Sequence, residues 1–165
     1  MPPKLPREFD AKEIILQNAR KYQVDPALIA ALIMQESGAD TYAVRFEPAF
    51  KTRYLDGKSQ RRLGGYWPRT ISKETEMILR ATSIGAMQVM GQTAREHGLE
   101  SESLLELVRP EVGIEMGVKV LSSFITKFGD REKALLAYNG GSNRHYAAMV
   151  LERLGRGDGE FLLMR

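Results

Sequence analysis

The chain has 165 residues, 43% of them apolar and 27% charged, a composition that builds a core rather than stays disordered. A net charge of +3 inclines it only weakly toward polyanions, and the absence of cysteine removes disulfides, thiolate nucleophiles and cysteine-held metals. No stretch approaches the run of about 20 apolar residues that a bilayer span requires, and neither His97 nor His145 belongs to a metal-binding histidine pair, so no membrane span, metal or cofactor is expected.

The opening "MPPKLPREFD" lacks the apolar run of a secretory signal, so delivery outside the cytoplasm would need another route. Asp10 with Glu13 reads as a capping box for a helix through about Tyr22. Asp25-Pro26 is an N-cap followed by proline at the first helical position, and this helix runs to about Ser37 with Gly38 closing it. Residues 41–71 show no helical period, and Asp56-Gly57 and Gly64-Gly65 are turn signals, so a hairpin or irregular lobe is expected there. Ser72 starts a helix through "KETEMILRA". Short helices follow over "GQTAREH", stopping at Gly98, and over "SESLLELV". A long amphipathic helix follows Pro110, with Val120, Leu121, Phe124, Ile125 and Phe128 on its apolar side, and ends at Gly129. Asp130 begins the next helix, ending near Tyr138, and Ser142 begins a last one through about Leu154. The reading is a single domain over residues 1–165, α+β but mainly α-helical, with a small non-helical insert.

Three stretches carry candidate chemistry. In "LIAALIMQESGAD", Leu28, Leu32 and Glu36 share one helical row, which aims a carboxyl toward apolar surroundings. Desolvation and the negative end of the helix dipole both raise a carboxyl pKa, which suits a general acid. The plainer reading is an exposed glutamate on a frayed turn. In "TSIGAMQVM", Gly85 permits close backbone approach, Met87 is a flexible apolar filler, and Gln88 can fix a hydroxyl or acetamido group. An ordinary turn entering a helix fits these residues too. In "LLAYNGGSN", Tyr138 and Asn139 sit at a helix end, as sugar-binding groups or as a simple cap.

"QESGAD", "SIGAMQVM" and "AYNGG", in this order and all at helix junctions, resemble the lysozyme-like lytic transglycosylases over about residues 25–155. The resemblance implies a lysozyme-like fold and a peptidoglycan glycan substrate. It implies Glu36 as catalytic acid and base, followed by Ser37. Ser83 would place the substrate N-acetyl group, Met87 and Gln88 would line the glycan groove, and Tyr138 and Asn139 would hold the glutamate and the sugar. Ala86 departs from the leucine usual in G-L-M-Q. The long gap between Glu36 and Gly85, filled by "RFEPAF…GGYWPR", resembles phage and prophage cell-wall enzymes.

The implied reaction cuts the β-1,4 bond between N-acetylmuramic acid and N-acetylglucosamine and leaves a 1,6-anhydro ring, with one carboxyl group and no water consumed. A hydrolytic muramidase would need a second carboxylate, for which Asp40, Glu47 and Asp56 are nearest in sequence. A wall-binding or virion structural module without catalysis is the alternative of another class. Nucleic-acid binding lacks any reading motif. A monomer acting on peptidoglycan strands at the cell wall is expected.

Between Val44 and Thr70, seven basic residues face only Glu47 and Asp56 and are interleaved with Phe46, Phe50, Tyr54, Tyr66 and Trp67. This basic, aromatic lobe could wall the glycan groove, with Trp67 stacking on a sugar, or its aromatics could pack the lobe onto the body.

Overall fold

A computed structural model describes residues 11–164. The capping box expected at Asp10 lies outside the described residues. Helix α1 covers Ala11–Tyr22. Helix α2 covers Pro26–Ser37, and both of its caps form as the sequence implies: the Asp25 side chain accepts from Ala27 N at 2.9 Å, and left-handed Gly38 donates to Met34 O at 3.2 Å.

Of the two forms expected for the insert, hairpin or irregular lobe, the structure has the irregular one, with short helical turns in it. Strand β1 (Val44–Phe46) leads into α3 (Pro48–Phe50), a π-helical turn over Lys51–Leu55, and α4 (Gln60–Leu63). The lobe is irregular chain carrying three short helical turns, and it contains no internal hairpin. Helix α5 (Lys73–Arg80) follows, capped by Ser72, whose hydroxyl accepts from Thr75 N at 3.1 Å. Strands β2 (Thr82–Ile84) and β3 (Val89–Met90) then form the hairpin. β1 joins its edge, giving an antiparallel β1-β2-β3 sheet with Arg45 opposite Ser83 and Ser83 opposite Met90.

Helix α6 (Gly91–Glu96) comes next, and "LLELV" winds as a 3-10 turn over Leu104–Val108 rather than an α-helix. The long α7 spans Pro110–Phe128 and α8 spans Arg131–Tyr138. Helix α9 (Tyr146–Arg156) begins four residues later than Ser142. Asparagine side chains hold the preceding turn instead: Asn139 Oδ1 accepts from Asn143 N, and Asn143 Oδ1 accepts from His145 N. A short α10 (Phe161–Met164) has no counterpart in the sequence reading.

The main core joins α1, α2, α7, α8 and α9 through fully buried Ile15, Leu28, Leu32, Val118, Leu121, Leu135 and Val150. A second cluster of Leu55, Leu63, Met77 and Ala81, with Phe50 and Trp67 against it, packs the insert onto α5. Beside it lies a buried ionic triad. Glu76 accepts from Arg80 Nε and Arg95 Nε, each at 2.8 Å. The same arginines donate to backbone carbonyls: Arg80 to Gly64 and Tyr66, Arg95 to Leu99 and Ser101. The two guanidinium groups share one carboxylate and every guanidinium nitrogen has an acceptor, which offsets the cost of burying them. No described helix is long and apolar enough to cross a membrane.

Candidate active site

Glu36 ends the row that begins with Leu28 and Leu32, 1% and 0% exposed. Its carboxyl is half-buried at the last turn of α2. Burial raises its pKa; a hydrogen bond from Tyr146 and the charge of Arg45 act the other way without cancelling the rise. Tyr146 Oη donates to Glu36 Oε1. This phenol, 4% exposed, has its own pKa pushed up by burial and then by the Glu36 charge, so it remains a donor. Tyr146, the hydrogen-bond partner of Glu36, is a residue that the sequence reading did not single out.

The loop carrying Gln88 is fastened from two sides. Ser37 Oγ donates to Ala86 O at 2.8 Å from α2, and Tyr138 Oη donates to Met87 O at 2.8 Å from α8. Tyr138 therefore holds the loop backbone, while Tyr146 holds the glutamate. Burial, then the Glu36 charge, raises the Tyr138 pKa, so this phenol too remains a donor. Gly85 has φ +82°, and a Cβ there would stand 2.2 Å from Leu107 O, so this turn requires glycine. Gln88 takes φ +46°, uncommon for a residue with a side chain. Its Nε2 donates to Ala43 O and Gly85 O at 2.9 and 3.0 Å. Both bonds use the amide nitrogen, which leaves Oε1 as the acceptor to offer a ligand.

A groove of about 380 Å³ gathers these groups. Glu36, Ser83, Gln88, Tyr138 and Asn139 all line it, as do Val120 and Phe124 of α7. From the insert come Arg45, Glu47, Phe50 and Tyr54. Two expected groove residues lie elsewhere. Met87 is 0% exposed and fills the space above Gly117 of α7, where a Cβ would approach its Sδ to 2.5 Å. Trp67 belongs to the second hydrophobic cluster, with Arg80 stacked 4.2 Å from its ring centroid. Its apolar surface packs the lobe onto the body, and the groove takes Phe50 and Tyr54 instead. Asn139 reaches the groove with Oδ1 already accepting from Asn143 N and Ser142 Oγ, at 3.2 and 3.3 Å.

Of the other carboxylates, Glu47 lines the groove but is bound to Arg45 Nε at 2.6 Å. Asp56 pairs with Lys51 at 2.5 Å and faces a different cavity. Among the described residues no group of three histidine or acidic side chains is arranged to hold a metal. The arrangement is one half-buried carboxyl inclined to stay protonated, set in a groove with amide and hydroxyl groups and aromatic faces. That suits proton donation to a bound polyhydroxylated ligand.

The chain matches no solved structure. The family model for the transglycosylase SLT domain matches residues 13–152, which take in Glu36, the sheet, Tyr138 and Tyr146. The chain therefore belongs to the transglycosylase SLT domain family, transglycosylase-type enzymes of mainly helical, lysozyme-like fold that act on peptidoglycan.

Proposed function

We propose that the protein is a lytic transglycosylase that cuts the β-1,4 bond between N-acetylmuramic acid and N-acetylglucosamine and leaves a 1,6-anhydro ring. It works at the bacterial cell wall as a monomeric catalytic domain, with residues 41–71 as a lobe beside the groove. The observation that carries the reading is Glu36: a carboxyl whose pKa burial raises, held by Tyr146 inside a groove.

In the first step protonated Glu36 gives its proton to the glycosidic oxygen as the bond to muramic C1 breaks. In the second, the resulting carboxylate takes the proton of the muramic C6 hydroxyl, whose oxygen bonds to C1. The enzyme ends protonated as it began. Tyr146 holds Oε1, so the travelling proton rides on Oε2. Tyr146 and Arg45 favour the carboxylate, and both stabilise Glu36 between the two steps. Ser83 and Gln88 are the groups to receive the substrate N-acetyl and hydroxyl functions, Asn139 binds the sugar, and Tyr138 with buried Met87 keeps the Gln88 loop in place.

A hydrolytic muramidase is the second reading, because Glu47 shares the groove. Its ion pair with Arg45 is the argument against a free base at that point. Mass spectrometry of digested sacculi tests the choice. Fragments one water lighter than hydrolysis products are expected; mainly reducing muramic ends would favour the muramidase and make Glu47 the first residue to mutate. A wall preparation left intact would instead favour a non-catalytic binding module.

A further inference from the structure

The segment from Pro48 to Leu55 has two faces. Phe50 and Tyr54, their rings 5.0 Å apart, line the groove. Lys51 and Leu55 line a second cavity of about 720 Å³ on the other side of the same helical turns. Its floor is apolar: Leu55 and Met77 are buried, and Ile78 stays 47% exposed although it is large and hydrophobic. Lys51 is already bound to Asp56. Lys58 and Lys73 stand at the rim with no acidic partner among the described residues, and Glu74 stands there as well.

We propose that this cavity is a subsite for the stem peptide carried by a muramic acid residue of the glycan strand. The proposal rests on the reading of the groove as a peptidoglycan site. The chemistry matches group by group. A stem peptide carries carboxylates for Lys58 and Lys73, the amine of its diamino acid for Glu74, and alanine methyls for the floor of Leu55, Met77 and Ile78. An uncharged sugar offers none of these to the lysines. Because one helical segment separates the two spaces, a glycan in the groove brings its peptide to this cavity's edge. The lobe then selects peptide-bearing strands over bare ones.

Calorimetric titration of the full chain tests this, with a free alanyl-glutamyl-diaminopimelyl-alanine tetrapeptide and an N-acetylglucosamine tetrasaccharide as separate probes. The tetrapeptide is expected to bind saturably, and the double substitution Lys58→Glu with Lys73→Glu to weaken it about tenfold or more, as reversal of paired charges does. The same variant should lower the ratio of the rate on intact sacculi to the rate on amidase-stripped glycan. No saturable peptide binding, equal binding by the variant, or binding to phosphatidylglycerol vesicles in place of peptide overturns the subsite while fragment release by the wild type leaves the groove reading standing. A wild type that releases no fragments from either wall preparation overturns the groove reading, and the subsite with it.

Discussion

Replacing Glu36 by glutamine keeps the shape of the side chain and its acceptor for Tyr146 but removes the proton that titrates. General acid-base catalysis contributes about 10²–10⁴ in rate, equivalent to roughly 2.7–5.5 kcal/mol of barrier. In the proposed reaction one carboxyl serves both halves, so the loss should fall at the upper end. The substitution has a second, thermodynamic signature. Burial raises the folded pKa of Glu36 above its unfolded value. Below the ordinary carboxyl range both states are protonated, and the wild type has its full stability. As pH rises, the unfolded chain releases this proton first, and the stability is lost through the folded pKa. Glu36→Gln should therefore melt close to the wild type in acid and above it at alkaline pH. Sacculus turbidity gives the rate, and thermal melts across the pH range give the stability. A glutamine variant with near-wild-type activity would refute the assignment, and a melting difference that does not grow with pH would refute the burial argument.

Tyr146→Phe removes a donor that favours the Glu36 carboxylate, so the Glu36 pKa should rise and the alkaline limb of the pH–rate profile should move up, at a stability cost of about 1 kcal/mol. An alkaline limb that stays in place would count against that coupling. Trp67→Ala should cost roughly 3 kcal/mol in a denaturant melt, and the wild-type tryptophan fluorescence should not change when N-acetylglucosamine oligosaccharides are added. Glu76→Ala leaves Arg80 and Arg95 buried without their carboxylate and should cost about 3–5 kcal/mol; limited proteolysis should then show new cleavage in the Gly64–Tyr66 segment that Arg80 fastens.

What the sequence disclosed was mostly local. Asp25 and Gly38 act within a turn of their own helix, and so do Ser72, Asp130 and Gly129, so helix ends were readable from neighbours. Strands of three and two residues carry too little alternation to be seen, and β1 finds its partner only across the whole insert. The short helices of the lobe are fixed by the second cluster and the ionic triad rather than by periodicity. Glu36 was legible because its row is apolar and it is not. Met87 was misplaced because a flexible apolar side chain reads alike in a groove or a core; Gly117, thirty residues on, decided it. Tyr146 had one signal, its place in a row with Val150 on the buried side of α9, but nothing in that row points to a glutamate so distant in the chain.

The bond between Tyr146 and Glu36 joins positions 110 residues apart. During synthesis the segment with Glu36 leaves the ribosome early, since chains emerge from the N-terminus. The groove loop follows, and the phenol that steadies the carboxylate arrives only with α9. A nascent chain stopped just past residue 141 holds "QESGAD", "SIGAMQVM" and "AYNGG" yet lacks this partner, and Glu36 at that stage has no hydroxyl of Tyr146 on its Oε1. Completion of the Glu36 site is thus a late event in the life of the polypeptide, coupled to the docking of α9 against α2.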